Sequence, residues 1–104
     1  MKLSDPILRK YRAALDEFYG DRIERVVLFG SRARGDARDD SDYDIAVFLK
    51  DMTDFWAESK RLVSLRIAFR DSDGVDVQFM PFVAGSWANR TLLMHGIRTD
   101  GLDL

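Results

Sequence analysis

Cysteine is absent from this chain of 104 residues, and histidine occurs only once. Without cysteine the chain can form no disulfide and offers no thiolate ligand to a metal, which agrees with a reducing compartment. No apolar run approaches the length needed to span a membrane, and the first residues contain no apolar signal region. We therefore expect a cytoplasmic protein with no membrane partner.

The chain also has little surplus charge of either sign. Its 16 basic and 18 acidic residues give a formal net charge of −2, which argues against a general affinity for nucleic acid or for an anionic membrane. Apolar residues make up 46% of the chain, as in ordinary globular proteins. At this length we expect one domain, residues 1–104, with little room for a separate substrate-binding lobe.

Hydrophobic periodicity divides the chain into helices and strands. The predicted order is a helix over residues 5–19 with Asp5 as its N-cap, strands over 26–29 and 43–49, a helix over 55–70, a strand over 75–79 ended by Pro81, a helix over 83–94 stopped by Gly96, and a tail that adds a short edge strand or frays. The second helix is predicted to bury a broad apolar stripe that includes Val63 and Ile67.

These elements predict an α+β fold, a two-layer α/β sandwich. The loop that joins the first two strands is too short for a crossover helix, so the sheet should be mixed, with its helices mainly on one face. Trp56 and Trp87 are expected in the core or as contacts to a partner, because no basic stripe accompanies them. His95, near a predicted helix end, is expected at the surface or as a cap.

The most informative stretch runs from Val26 to Val47. An apolar strand ends in Gly30 and Ser31, an arginine-rich and aspartate-rich loop follows, and Asp42-Tyr43-Asp44 opens the second strand. Glycine lets a ligand approach the backbone, and a serine that caps a short helical turn would leave N–H groups for phosphate oxygens.

Strand alternation places the side chains of Asp42 and Asp44 on one face. Two adjacent carboxylates repel each other unless a cation lies between them, so the pair predicts a Mg²⁺ site. Asp76, in the third predicted strand, can supply a third oxygen ligand to one or two ions. Asp42, Asp44 and Asp76 are therefore the predicted metal-binding and catalytic residues.

Three arginines lie in the loop that follows the glycine. Arg32, Arg34 and Arg38 could neutralise a polyphosphate, or they could pair with Asp36, Asp39 and Asp40 at the surface. Arg34 is preferred as a nucleotide-binding residue, beside Gly30 and Ser31, because it lies just past the Gly-Ser turn.

The joint pattern resembles the nucleotidyltransferase superfamily that includes DNA polymerase β, and within it the minimal nucleotidyltransferases. Phe29-Gly30-Ser31, Asp42-Tyr43-Asp44-Ile45 and Val75-Asp76-Val77 carry the resemblance. It implies that Gly30 and Ser31 hold the β and γ phosphates of a nucleoside triphosphate. It also implies that the aspartates bind two Mg²⁺ ions, and that Asp76 helps to place the ion that activates the acceptor hydroxyl.

The resemblance further implies a partner. Small members of this type are commonly encoded beside a HEPN-domain ribonuclease toxin and act as its antitoxin, in some cases by transferring AMP from ATP to a tyrosine of the toxin. Two alternatives stay open: an antitoxin that neutralises by covering its partner without catalysis, and nucleotidyl transfer to a small hydroxyl compound or an RNA end.

Overall fold

A mixed four-stranded sheet forms the centre of the molecule in a computed structural model that describes residues 5–38 and 41–104. The elements in chain order are α1 (Pro6–Tyr19), a 3₁₀ turn (Gly20–Arg22), β1 (Ile23–Phe29), α2 (Ser31–Arg34), β2 (Tyr43–Leu49), α3 (Phe55–Asp73), β3 (Val77–Val83), a second 3₁₀ turn (Ser86–Ala88), α4 (Leu92–Asp100) and β4 (Leu102–Asp103).

The strand order in the sheet is β3-β2-β1-β4. β1 pairs antiparallel with both β2 and β4, whereas β2 and β3 run parallel. The parallel pair is joined through α3, which supplies the crossover that such a connection requires. The predicted mixed sheet and the short edge strand in the tail are confirmed.

Both faces of the sheet are covered, but unequally. The long helices α1 and α3 pack on one face, and the core there centres on Tyr11. The Tyr11 ring contacts the rings of Tyr43, Phe69 and Phe79 edge to face, with centroid distances of 5.5, 4.6 and 5.8 Å. Such pairs add stability beyond their buried area. This one tyrosine therefore joins α1 to β2, α3 and β3.

The opposite face carries the smaller core. Val27, Ala46 and Phe48 project from the sheet and are covered by Met94 and Ile97 of α4. Side chains alternate along β2, and Asp44 lies two residues before Ala46, so Asp44 shares this face. The carboxylate of Asp44 is therefore on the side of the sheet that α4 covers.

The N-terminal helix begins as predicted. Asp5 accepts a hydrogen bond from the Ile7 N–H through Oδ1, at 2.9 Å, which is an N-cap. Its Oδ2 accepts a bond of 3.0 Å from the hydroxyl of Tyr43. Tyr43 stands between Asp42 and Asp44 in the sequence, so the cap also ties α1 to the start of β2.

The predicted end of the third strand is wrong. Pro81 lies inside β3, which runs to Val83, and β3 begins at Val77, just after Asp76. Proline lacks the N–H that a central strand needs, but β3 is an edge strand, and one side of it has no neighbour to bond. The sequence cannot show that this strand is at the edge.

The last helix is also placed too early by the sequence pattern. α4 begins after Thr91, whose Oγ1 accepts a bond of 3.1 Å from the Met94 N–H, and it continues through Gly96 to Asp100. Glycine inside a helix costs only about 1 kcal/mol relative to alanine. Burial of Met94 and Ile97 against the sheet offsets this cost. His95 lies on this helix and is exposed, as expected.

A buried carboxylate joins α3 to α1 and to the 3₁₀ turn that follows α1. Glu58 accepts hydrogen bonds of 2.9 Å from the Tyr19 hydroxyl and from the Arg22 guanidinium. Burial alone raises the pKa of Glu58, but the hydrogen bonds from Arg22 and Tyr19 and the charge of Arg22 lower it below the ordinary value. A carboxyl whose pKa falls on folding stabilises the protein above its unfolded pKa and loses this effect as the pH falls.

We expect Glu58→Gln to lower the free energy of unfolding by about 1 to 2 kcal/mol at neutral pH, because it removes a charge-assisted hydrogen bond to a partly exposed arginine. The difference should shrink as the pH falls from 4.5, the ordinary glutamate pKa, into the more acidic range. Urea denaturation at several pH values measures it. A difference that stays constant across this range would show that the charge of Glu58 does not contribute.

Among the described residues, no helix is long and apolar enough to cross a membrane.

Candidate active site

Gly30 follows β1 with a backbone conformation that only glycine adopts easily, φ 77° and ψ −159°. A Cβ at this position would lie 2.4 Å from Oδ2 of Asp44 and 3.2 Å from its Cγ. The antiparallel register explains this approach, because Phe29 is paired with Asp44. The glycine is therefore required both for the turn and for the space that the carboxylate occupies.

Ser31 is the first residue of the short helix α2, and Gly30 takes the N-cap position. The prediction that the Ser31 side chain caps this turn is wrong, since the conformation that the cap needs here is one that serine disfavours. The Gly30 carbonyl accepts bonds from the N–H groups of Ala33 and Arg34, both 3.1 Å long. The first N–H groups of a helix have no acceptor within it, so the turn still presents donors to an anion.

Asp42 and Asp44 lie at the start of β2, with Asp42 exposed and Asp44 partly buried. Burial raises the pKa of Asp44, the negative charge of Asp42 raises it further, and the positive charge of Arg34 opposes the rise. The two carboxylates thus repel each other, as the sequence pattern predicts. A cation with hard oxygen ligands would relieve both the repulsion and the cost of burial.

Asp76 lies at the same end of the sheet but in different surroundings. Its carbonyl accepts a 3.1 Å hydrogen bond from the Tyr43 N–H. Its carboxylate is held by Arg66 of α3 through two parallel bonds, Nε to Oδ1 at 2.7 Å and Nη2 to Oδ2 at 2.8 Å. The hydrogen bonds from Arg66 lower the pKa of Asp76. Asp76 is therefore an ionised carboxylate that already has a cationic partner.

The three aspartates are consequently not one cluster in this structure. Within residues 5–38 and 41–104, no group of three or more histidine, cysteine, aspartate or glutamate side chains is placed to hold a metal ion. Asp42 and Asp44 supply the oxygen donors that a magnesium ion prefers. A role for Asp76 as a third ligand would require it to exchange Arg66 for the metal, and that role stays a prediction.

Arg34 lies near this site at the surface. Its guanidinium forms ion pairs with Asp36 at 3.3 Å and Asp100 at 3.8 Å. It also lines a cavity of about 290 Å³ between Gly30, Leu93 and Asp100. A larger cavity of about 400 Å³ lies between α1 and Leu104, away from Asp44. The smaller cavity is lined by Gly30 and Arg34 but by neither Ser31 nor the aspartates Asp42 and Asp44.

The other two loop arginines differ in their contacts. Arg32 donates two hydrogen bonds to the Ser41 carbonyl, of 3.1 and 2.8 Å, and stacks over the Tyr43 ring at 4.2 Å. It therefore fixes the loop that leads into Asp42. The backbone N–H of Arg38 donates to the Ser41 hydroxyl at 2.8 Å. The predicted pairing with Asp39 and Asp40 lies outside the described residues.

Comparison with known proteins shows the family to which the chain belongs. The model of the family described as "Nucleotidyltransferase domain" matches residues 8–90. This chain belongs to that family. The nucleotidyltransferase is also 31% identical over 77 residues to a protein of Methanocaldococcus jannaschii named "Putative protein adenylyltransferase MJ0141", an alignment that covers 74% of this chain and 75% of that relative.

Solved structures support the fold of this nucleotidyltransferase. A structure described as a toxin–antitoxin with AMP-PNP matches with a TM-score of 0.59 at 23% identity, over 90% of this chain and 69% of the other. A second, described as a mutant of the toxin–antitoxin MntA-HpeT, matches with a TM-score of 0.63 at 24% identity, over 92% and 70%. At such identities these matches establish the α+β nucleotidyltransferase fold.

The residue that sequence reasoning missed is Arg66. It lies in the predicted helix ten residues before Asp76, and nothing in the local pattern distinguishes it from the other cations of that helix. A usable signal is its sequence spacing. When a tight loop joins a helix to the next strand, the C-terminal part of the helix lies beside the start of that strand. A long cationic side chain in this part of the helix can therefore reach a carboxylate that immediately precedes the strand.

Proposed function

We propose that this nucleotidyltransferase transfers AMP from ATP to a hydroxyl of a protein partner, a HEPN-domain toxin, and acts as its antitoxin. The M. jannaschii relative supports a protein acceptor by its name, and the structures of similar fold are described as toxin–antitoxin pairs, one of them with an ATP analogue. The observation that carries the proposal is the contact between Gly30 and the Asp44 carboxylate. It joins a phosphate-binding turn directly to a carboxylate pair.

Asp42 and Asp44 are the residues that would hold magnesium. They are the adjacent carboxylates whose repulsion and burial a divalent cation would offset, and one or two ions are consistent with such ligands. When bound, Mg²⁺ neutralises phosphate charge and stabilises the attacking and leaving oxygens of phosphoryl transfer. Asp76 is the proposed third ligand, in exchange for Arg66.

Residues around the carboxylate pair position the nucleotide and supply positive charge beside its phosphates. The turn at Gly30 and Ser31 binds the β and γ phosphates through its exposed N–H groups, as helix starts bind anions. Arg34, which lines a cavity together with Gly30, adds positive charge beside this turn. Arg32 keeps the loop before Asp42 in place through the Ser41 carbonyl. Such fixed donors and charges are the main help that a phosphoryl-transfer site gives.

The direct test is a mass measurement. The protein encoded by the neighbouring gene, which we expect to be a HEPN-domain toxin, is purified and incubated with this protein, ATP and Mg²⁺, and its intact mass is then determined. We expect a gain of one or more AMP groups that requires all three components. Transfer to a small hydroxyl compound or an RNA end, with the protein unmodified, would replace the proposed acceptor.

Nucleotide binding should depend strongly on the metal. We expect the affinity for a non-hydrolysable ATP analogue to fall by about tenfold or more when EDTA removes Mg²⁺, because Asp42 and Asp44 then repel the phosphates. Calorimetry measures both affinities. In a double variant with both aspartates changed to asparagine, the metal should make little difference. Equal affinities of the wild type in both conditions would show that the aspartates are ordinary surface residues.

Neutralisation by covering, without catalysis, is the second candidate. The pairing of Asp76 with Arg66 favours it, because a carboxylate held in two short bonds is not free to bind a metal. The two candidates differ in what happens to the toxin when the carboxylate pair is altered, so a variant of Asp44 separates them.

A further inference from the structure

The outward face of α3 carries a row of side chains at the spacing of a helix–helix seam. Trp56, Lys60, Val63, Ile67 and Arg70 follow one another at alternating intervals of four and three residues, the repeat that keeps residues on one side of a helix facing a partner. We call these five residues the α3 seam. Its apolar members are well exposed, Trp56 at 74%, Val63 at 49% and Ile67 at 54%.

The fold itself does not need the α3 seam. The helix buries a different side against the sheet through Leu62, Leu65 and Phe69. The prediction that Val63 and Ile67 widen this buried stripe is wrong, because they project from the other side of the helix. A large aromatic and two branched side chains aligned in solvent are unusual for a helix packed on one side only, and such a patch marks an interaction surface.

The charges on the seam indicate which kind of partner surface is complementary to it. Lys60 and Arg70 are exposed, and within the described residues neither forms an ion pair. The acids of α3 are mostly used elsewhere, since Glu58 is buried against Arg22 and Asp73 pairs with Lys10. Asp71 is the exposed acid near the C-terminal end of the seam. In a chain of net charge −2, the seam is thus apolar with a local excess of positive charge.

These charges argue against a second copy as the occupant. Two copies packed seam to seam would bring the Lys60 and Arg70 side chains of both into one partly desolvated interface, with only Asp71 from each to oppose them. A partner with carboxylates at the matching positions would instead form opposite-charge pairs along the edges of the contact. Such pairs steer association and fix its register.

We propose that the α3 seam is the docking surface for a helix of the protein acceptor, a helix whose apolar stripe is bordered by aspartate and glutamate. This inference rests on the proposed function, since it names how the protein partner is held. The apolar residues of the seam supply the buried contact, with Trp56 as the main anchor. Lys60 and Arg70 select the acidic border.

The position of the seam suits a partner that must reach the site. Its C-terminal end, at Ile67 and Arg70, lies beside Arg66, whose guanidinium holds Asp76 at the edge strand of the sheet. Arg70 also lowers the pKa of Asp76, after the larger effect of Arg66. A helix docked on α3 is therefore held next to the end of the sheet that carries Asp42 and Asp76, without covering the turn at Gly30.

The test measures binding separately from transfer. Affinity for the purified product of the neighbouring gene, which the proposed function expects to be a HEPN-domain toxin, is determined by biolayer interferometry for the wild type, Val63→Asp and Lys60→Glu. We expect each variant to weaken binding by about tenfold or more. Circular dichroism shows whether the variants keep the fold, which exposed positions on α3 should allow.

Matched variants serve as controls. Val83→Asp changes a valine of nearly equal exposure, 48% against 49%, that lies on β3 outside the seam. Ala68→Asp adds the same charge to an exposed position of α3 that is not in the seam, and Lys50→Glu reverses an exposed lysine beyond β2. These three variants should bind like the wild type.

Several results would overturn the docking surface. Unchanged affinity of Val63→Asp and Lys60→Glu would do so, and so would failure of the wild type to bind this protein. A wild type that sediments alone as a dimer, with Val63→Asp monomeric, would show that a second copy covers the seam. If binding depends on the seam but no AMP is transferred, the inference stands and the catalytic proposal fails. If AMP is transferred but neither binding nor transfer depends on the seam, the catalytic proposal stands and the docking surface is wrong.

Discussion

Asp44→Asn should reduce the transfer of label from α-labelled ATP to the proposed toxin partner by at least about a hundredfold. The substitution keeps the shape of the side chain and removes one negative charge from the pair that would hold the metal. The new amide would also fit the space beside Gly30 that the carboxylate occupies, so the fold should not change. Removal of a partly buried carboxylate with a raised pKa should leave the stability equal or slightly higher.

The same variant separates catalysis from covering. Asp44 lies on the opposite face of the sheet from α3, so affinity for the toxin should remain that of the wild type. If AMP transfer neutralises the toxin, cells that express Asp44→Asn at matched levels should lose protection. Continued protection by a variant without transfer activity would contradict the enzymatic account and favour neutralisation by covering.

Gly30→Ala should nearly abolish nucleotide binding and lower the free energy of unfolding by about 1 to 3 kcal/mol. The new Cβ would lie 2.4 Å from Oδ2 of Asp44, so either the carboxylate or the turn must move. The φ of 77° adds strain that alanine does not tolerate well. Thermal unfolding and calorimetry with a non-hydrolysable ATP analogue measure the two effects.

Gly20→Ala is the matched control, because Gly20 has a similar backbone conformation, φ 57° and ψ −127°, and a Cβ there would meet no atom within 4 Å. It lies before β1, at the opposite end of that strand from Gly30. We expect a comparable loss of stability with unchanged nucleotide affinity. If both variants bind nucleotide equally well, the contact between Gly30 and Asp44 has no role in the site.

Both predictions depend on one contact between residues fourteen positions apart in the chain. The antiparallel pairing of β1 and β2 places the end of one strand beside the start of the next. Any change that shifts this register by one residue would turn Asp44 to the other face of the sheet. The position of the Asp44 carboxylate beside Gly30 therefore depends on the pairing of Phe29 with Asp44.

Short-range residue patterns are enough to predict the local features of the fold. The helix start at Asp5 and the strand over Tyr43–Leu49 follow from capping chemistry and from the period-two alternation of strands. Each depends on residues within a few positions of one another. For the same reason the spacing of Gly30, Ser31 and the two aspartates is sufficient to indicate the family.

Contacts across the sheet and around its edge depend instead on how the elements pack in three dimensions. Pro81 is tolerated because β3 is an edge strand, and Val63 and Ile67 are exposed because α3 has a neighbour on one side. Asp76 faces Arg66 because the turn after α3 brings that helix beside the start of β3. Strand order and helix rotation arise from long-range packing, in which many weak apolar contacts compete, and no local pattern of residues encodes the outcome.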